Sequence, residues 1–174
     1  DFTPAILNMG ARSTNLIIFS PQTVWIRTIP LGGDSFTMEI QKELKLGFPE
    51  SEELKISHAK LTATLKNEEG VQHPDRIPAI IETPTKRLLA ELTRSVGFFS
   101  SQMSGKHIGK IFLTGGASKI DGMDQYLSQK LSIAVEYLQP MKFEGTEIQS
   151  SVDGFVENHQ LSEVLGLGSR ILGI

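Results

Sequence analysis

A turn near the N-terminus carries residue types that can hold a phosphate group. Gly10, Ser13 and Thr14 lie between two apolar runs, 5–9 and 15–19, which both have strand-like composition. Consecutive backbone N–H groups and two hydroxyls suit phosphate oxygens, and glycine lets an anion approach the backbone closely. A plain hairpin fits the same residues, because short glycine signatures often match by chance. Taken alone, the turn favours the hairpin.

Two further segments carry residue types that can contact a nucleoside. Gly115 and Gly116 follow an apolar strand, 110–114, where glycines leave room for a ring or a sugar. Glu52 and Lys55 are three residues apart on a predicted helix, so they share one face and can bind ribose hydroxyls. Taken alone, these glycines are better explained as a simple transition from a strand to a helix. A solvated ion pair worth about 0.3 kcal/mol explains the charged residues.

The elements around these residues predict an α/β fold. The expected strands are apolar or β-branched runs bounded by turn residues: 5–9, 14–20, 23–29, 110–114 and 135–138. The expected helices have apolar residues every three or four positions: one capped by Asp34 and ended by Gly47, one starting at Pro49, one from about Pro84 to Met103, one capped by Asp121, and one at 161–172. Residues 66–78 predict a loop and 142–158 an irregular segment. A sheet followed by helices mixed with strands is typical of the α/β class.

Composition narrows the class of protein. The chain of 174 residues has no cysteine, which excludes disulfides and suits a reducing cytosol. Its net charge of −3 gives no reason to expect nucleic acid or an acidic membrane as a partner. No apolar run approaches the ~20 residues that cross a bilayer. Because the chain starts at Asp1, directly before a strand, we expect a fragment of a longer protein.

The order of these segments resembles the second half of the actin-like ATPase superfamily. Within it the chain is most similar to the PilM family of type IV pilus assembly, which is related to FtsA. The resemblance extends from about Ala5 to Leu172. It is carried by the segments IPLGGDSFT (29–37), IQKEL (40–44), SEELK (51–55), ELTRSVGFF (91–99), IFLTGGAS (111–118), DGMDQYL (121–127) and LGLG (165–168).

The resemblance implies the second lobe, subdomains IIA and IIB, of a fold in which ATP lies between two lobes. It implies a core sheet at 1–34 and 106–174, a helical or inserted subdomain at 35–105, and a first lobe outside this chain. The implied phosphate-binding residues are Gly10, Ala11, Ser13 and Thr14. The implied ribose- and adenine-binding residues are Glu52, Lys55, Gly115, Gly116 and Ala117.

Asn8 departs from the pattern of the superfamily, whose second phosphate loop commonly begins with an aspartate that organises Mg²⁺. An amide can bond a metal-bound water but brings no charge, so metal affinity and polarisation of an attacking water should both fall. The alternative is an asparagine that only hydrogen-bonds its turn. With ATP and Mg²⁺ as cofactors of the full-length protein, we therefore expect at most slow ATPase activity, and none from this fragment.

The implied function is a cytoplasmic scaffold for type IV pilus or related secretion machinery, peripheral to the bacterial inner membrane. The expected partner is an inner-membrane pilus assembly protein of the PilN type, bound through the missing lobe, with no nucleic acid and no direct membrane insertion. Two alternatives stay open. One is an FtsA-like cell-division or polymerising protein, and the other is an ATPase or sugar-kinase relative.

Overall fold

A five-stranded mixed sheet with packed helices makes up the described part of the chain. The computed structural model describes residues 3–19, 23–61, 73–102 and 107–138. The strands are β1 (Thr3–Met9), β2 (Thr14–Phe19), β3 (Val24–Ile29), β4 (Ile108–Thr114) and β5 (Ala134–Tyr137). The helices are α1 (Gly33–Leu44), α2 (Phe48–His58), α3 (His73–Gln102) and α4 (Met123–Leu131), with a 3₁₀ turn at Gly116–Lys119. The α/β class expected from the sequence is confirmed.

The sheet brings the carboxyl ends of β1, β3 and β4 to one edge. The strand order is β3–β2–β1–β4–β5, with β2 antiparallel to both its neighbours and β1, β4 and β5 mutually parallel. β1, β3 and β4 therefore run in the same direction and end together, at Met9, Ile29 and Thr114. Ligands bind at this kind of edge in open α/β sheets.

One face of the sheet is buried under helices. Alternate residues of β1, among them Leu7 and Met9, are fully buried, as expected for a strand with one covered face. Residues of α1, α3 and α4 belong to the same core: Phe36, Ile40, Leu88, Leu92, Phe99, Met123 and Leu127. Leu88, Leu92 and Phe99 lie on one stripe of α3 and are buried in this core. Among the described helices none is long and apolar enough to span a membrane.

Two helices begin at glycines and not at the predicted aspartate caps. The N-cap of α1 is Gly32, and a Cβ on this glycine would lie 2.5 Å from the Ala11 carbonyl oxygen. The N-cap of α4 is Gly122, with φ +75° and a Cβ position 2.4 Å from the Leu61 carbonyl oxygen. The predictions for Asp34 and Asp121 were wrong because distant backbone occupies the space that any larger cap residue would need.

The boundary between α1 and α2 also differs from the prediction. Helix α1 ends at Leu44, and the left-handed Lys45 (φ 57°) follows it. Gly47, predicted to end α1, is the N-cap of α2. Pro49 lies in the first turn of α2, one residue after the helix begins, which confirms its predicted place to within one residue.

Helix α3 begins eleven residues earlier than predicted, at His73 and not at Pro84. The loop predicted at 66–78 is therefore wrong for residues 73–78. Pro78 and Pro84 lie inside the helix, although proline normally breaks one. Ile77, Ile81 and Leu88 are buried, so the apolar stripe of the helix continues across both prolines. The predictions for 66–72, Met103, 142–158 and 161–172 lie outside the described residues.

Candidate functional site

A cleft of about 360 Å³ opens at the carboxyl edge of the sheet. Four separate segments line it: the β1–β2 turn, the start of α1, helix α2 and the 3₁₀ turn after β4. Five of the predicted site residues are among its walls: Ala11, Glu52, Lys55, Gly116 and Ala117. The structure thus brings together residues that are more than one hundred positions apart in the sequence.

The β1–β2 turn is attached to the start of α1. The Gly10 N–H donates to the Ser13 carbonyl oxygen (2.9 Å), which closes the turn. The carbonyl oxygens of Gly10 and Ala11 accept from the N–H groups of Gly33 (2.9 Å) and Asp34 (2.8 Å). Two of the first N–H groups of α1 are therefore occupied by protein. Donors for a phosphate would come from the exposed part of the turn, at Ala11 and Arg12.

Thr14 is fully buried at the base of this turn, and it does not line the cleft. Its hydroxyl donates to the Leu31 carbonyl oxygen at 2.7 Å, which ties the hairpin to the loop after β3. The hydroxyl proton is thus used inside the protein. This geometry supports a positioning role for Thr14, while Ser13 is half-buried next to it.

Lys55 is the centre of a polar network on the cleft wall. Its side chain is only 10% exposed, and its ammonium donates to Gly33 O (3.2 Å), Thr37 Oγ1 (3.0 Å) and Glu52 Oε2 (2.7 Å). The hydroxyl of Thr37 also hydrogen-bonds the Glu52 carboxylate. The predicted ion pair with Glu52 is present, but Lys55 is not solvated in it, because its ammonium has three protein acceptors.

The environment of Glu52 keeps its carboxyl group ionised. Burial acts to raise the pKa of Glu52, but hydrogen bonds from Lys55 and Thr37 and the charge of Lys55 outweigh it, so the pKa lies below its ordinary value. The Glu52 side chain remains 35% exposed at the cleft. It therefore presents a fixed anionic acceptor, which suits the hydroxyl groups of a sugar.

Gly115 occupies a position that only glycine can fill. Its φ is +90°, and a Cβ there would lie 2.5 Å from the Met9 carbonyl oxygen and 2.6 Å from Asn8 Oδ1. The buried Ser118 hydroxyl donates to the Gly115 carbonyl oxygen at 2.7 Å. These contacts hold Gly115 beneath the cleft surface and leave Gly116 exposed at the cleft.

Asn8 lies beside Gly115 and does not line the cleft. It is paired across the sheet with Asn15 and Thr114, near the carboxyl ends of β1 and β4. No group of three or more His, Asp or Glu residues that could hold a metal ion occurs in the described ranges. A role of Asn8 towards metal-bound water stays a prediction.

Two residues of this network, Gly33 and Thr37, were not predicted as site residues from the sequence. The peptide of Gly33 donates to Gly10 and accepts from Lys55, and a Cβ on it would lie 3.4 Å from Lys55 Nζ and 3.5 Å from Ala117 Cβ. Their spacing of four residues, which places both on one face of α1, was the available signal. Ile56, 74% exposed on the cleft wall, gave no signal beyond its position next to Lys55.

A mixed sheet of this order, with a cleft at its carboxyl edge, is the fold of the actin-like ATPases, and comparison with solved structures confirms this class. The PilM–PilN type IV pilus biogenesis complex matches with a TM-score of 0.75 and 25% identity, over 98% of this chain and 46% of that one. The archaeal actin homolog Ta0583 in complex with ADP matches with a TM-score of 0.64 and 14% identity, over 99% and 50%. A non-polymerising MamK mutant bound to AMPPNP matches with a TM-score of 0.61 and 13% identity, over 78% and 49%.

The family follows from the sequence match. Residues 5–166 match the family model of cell division protein FtsA, and the chain belongs to this family. Within it the chain is a PilM-like domain, as the resemblance implied. The chain spans about half the length of the solved structures that it matches.

Proposed function

We propose that this chain is the second lobe of an actin-like nucleotide-binding protein and that its cleft holds the adenosine side of ATP. The observation that carries the proposal is the convergence of Ala11, Lys55 and Gly116 on one cleft. The turn at 10–13 faces the phosphates in this arrangement, and Glu52 accepts from the ribose hydroxyls. The ADP and AMPPNP complexes of Ta0583 and MamK support a nucleotide as the ligand.

The apolar part of the cleft suits a nucleobase. Ile56, Ala59, Ala117 and Ile120 line the same cavity as the charged pair. A cleft with aliphatic walls and a few fixed polar groups is the usual form of a small-molecule site. The sugar-binding and base-binding roles therefore fall to neighbouring parts of one surface.

The described residues do not fit a resident metal ion. They include no cluster of carboxylates or histidines that could hold one, and Asn8 contributes an uncharged amide. Mg²⁺ would accordingly be held by the nucleotide phosphates and by groups outside the described residues. We infer that nucleotide binding serves conformation more than turnover, with at most slow hydrolysis in the full-length protein.

We further propose that the sheet elements at 1–34 and 106–174 form the core subdomain and that 35–105 forms the helical or inserted one. The whole protein is then a cytoplasmic scaffold at the inner membrane, with a partner of the PilN type bound through a first lobe. The PilM–PilN complex among the solved structures supports this role. The match to the cell division protein FtsA favours a second candidate, a division protein of the same fold.

The test of nucleotide binding compares two lysine variants in a two-lobed protein that carries this chain. Lys55→Met removes the ammonium from the cleft. Lys42→Met removes an exposed ammonium from another i, i+3 pair, with Glu39 at 3.0 Å. In a titration with a fluorescent ATP analogue we expect Lys55→Met to weaken affinity at least tenfold and Lys42→Met to leave it unchanged. Equal affinities of the two variants would contradict the proposal.

The partner proposal has its own test. A pull-down with a cytoplasmic peptide of a PilN-type protein, with and without ATP, should retain the two-lobed protein. A control peptide of the same composition in scrambled order should not. If the peptide does not retain a protein that still binds ATP, the result would favour the division protein and would not affect the proposed nucleotide site.

A further inference from the structure

Strand β3 forms an edge of the sheet that, within the described residues, has little protection against pairing. It is the first strand in the sheet order, and no described strand pairs with its other side. Its outward-facing Val24 and Ile26 are 57% and 62% exposed. The strand contains no proline, and its register with β2 is continuous, without a bulge. Arg27 is its one charged residue. Natural edge strands are usually protected by charged residues, proline or bulges.

The opposite edge of the sheet shows the contrast. Strand β5 has only four residues. Its Glu136 forms an ion pair with Lys110 of β4 at 2.9 Å. A short, charged edge resists the addition of another strand. The two edges of this sheet therefore differ in the property that decides edge-to-edge association.

Both sides of the β3 edge offer apolar surface. On the helix side, Trp25 packs against Phe98 and Phe99 of α3, with ring centroids 6.4 Å and 6.1 Å apart. Phe98 is nevertheless 52% exposed. On the other side, Val24 and Ile26 follow one another at strand spacing. A strand added beside β3 would therefore cover apolar side chains on both faces of the sheet.

We propose that β3 pairs antiparallel with β3 of a second copy of this chain, with Ile26 on the two-fold axis. The register follows from the residues themselves. Residues that lie opposite each other in an antiparallel pair point to the same face of the sheet. Their numbers must therefore both be even or both be odd, which places the two-fold axis at a residue and not between two residues. An axis at Arg27 would place two arginines opposite each other, which is unfavourable. An axis at Trp25 would pair only three residues of the strand.

The axis at Ile26 pairs five residues, 24–28, and places Arg27 opposite Trp25 of the second copy. A guanidinium over an indole ring is a favourable cation–π arrangement. Val24 then lies opposite Thr28, and both are on the outer face. The strand is thus self-complementary in charge, size and face, which is what an isologous interface requires. A single strand pair is smaller than the roughly 1,200 Å² of stable interfaces, so we expect a monomer–dimer equilibrium.

The absence of cysteine from the chain allows a direct test of this register. Opposite residues of an antiparallel pair have Cα atoms about 4.5–5.5 Å apart, within the roughly 4.4–6.8 Å that a disulfide spans. We therefore expect Ile26→Cys to form a covalent dimer under mild oxidation. Copies of residue 24 would lie about 14 Å apart, four residues out of register, so Val24→Cys should not cross-link with itself. A mixture of Val24→Cys and Thr28→Cys should cross-link between the two variants.

Met38→Cys is the control for cross-linking by random collision, because Met38 is 53% exposed on α1, outside β3. Cross-linking of Ile26→Cys no faster than Met38→Cys or Val24→Cys would overturn the proposal. Sedimentation equilibrium supplies a second measurement without oxidation. The wild-type chain should dimerise reversibly, Ile26→Lys should weaken dimerisation at least tenfold, and Met38→Lys should leave it unchanged. A chain that stays monomeric at millimolar concentration, or a dimer that Ile26→Lys does not weaken, would refute it.

Discussion

Replacement of Lys55 by methionine should destabilise the domain in a way that depends on pH. The substitution keeps the unbranched chain up to the ε position but removes the donor to Gly33, Thr37 and Glu52. A buried acceptor left without its donor costs about 1–3 kcal/mol. Because Glu52 is partly solvated, screening reduces the electrostatic share. We therefore expect the free energy of unfolding at pH 7 to fall by about 1–3 kcal/mol.

The pH dependence follows from the lowered pKa of Glu52. A carboxyl group whose pKa is lower in the folded state stabilises it above the ordinary value of 4.5 and loses that contribution as the pH falls through the folded pKa. Without Lys55, burial of Glu52 acts to raise its pKa instead. The difference in stability between the wild type and Lys55→Met should accordingly be largest at neutral pH and shrink below pH 4.5.

Urea unfolding of both proteins across this pH range measures the difference directly. Lys42→Met is the matched control, because its ammonium is 68% exposed in a pair with Glu39. Its effect should stay below about 0.5 kcal/mol at every pH. If Lys55→Met matched this control at pH 7, or if its effect were the same at pH 7 and in acid, the network would not be the source of the stabilisation.

Three further substitutions test other contacts by the same unfolding measurement. Gly115→Ala should lower stability by more than about 2 kcal/mol, because its φ of +90° and the Met9 carbonyl oxygen at 2.5 Å both oppose a Cβ; a neutral result would show that the loop can move freely. Thr14→Val keeps the shape but loses the bond to Leu31 and should cost about 1–2 kcal/mol, whereas Thr28→Val, on the exposed strand, should cost less. Leu92→Ala, in the core, should cost about 2–5 kcal/mol, and a cost below 1 kcal/mol would contradict its fully buried place.

The strands could be predicted from the sequence because each has a local signature. β1 and β2 are apolar runs bounded by turn residues, and their ends agree with the prediction within two residues. The first residues of the helices were harder to predict from the sequence. Gly32 and Gly122 act as caps because the carbonyl oxygens of Ala11 and Leu61 pass close by. Such contacts join distant segments, so no local pattern indicates them.

In the candidate site, too, some features could be predicted from local sequence and others depend on tertiary contacts. The pair Glu52–Lys55 could be predicted from its helical spacing, and the glycines from their place after β4. The burial of Lys55 could not, because its acceptors belong to α1. Similarly, the direction of the Thr14 hydroxyl depends on the position of Leu31, seventeen residues away. Sequence spacing thus identified the residue types, and tertiary packing decided which atoms face the cleft.

Gly33 is hydrogen-bonded both to the β1–β2 turn at one end of the cleft and to Lys55 at the other. Its N–H group donates to the turn that would face the phosphates, at Gly10, and its carbonyl oxygen accepts from Lys55 on the sugar side. Because Gly33 lies at the start of α1, a displacement of the turn must either move α1 or break these hydrogen bonds. A displacement of the turn that keeps these bonds would move α1, and with it the carbonyl oxygen that Lys55 of α2 contacts. The two ends of a nucleotide would then be bound by one coupled unit and not by two independent loops.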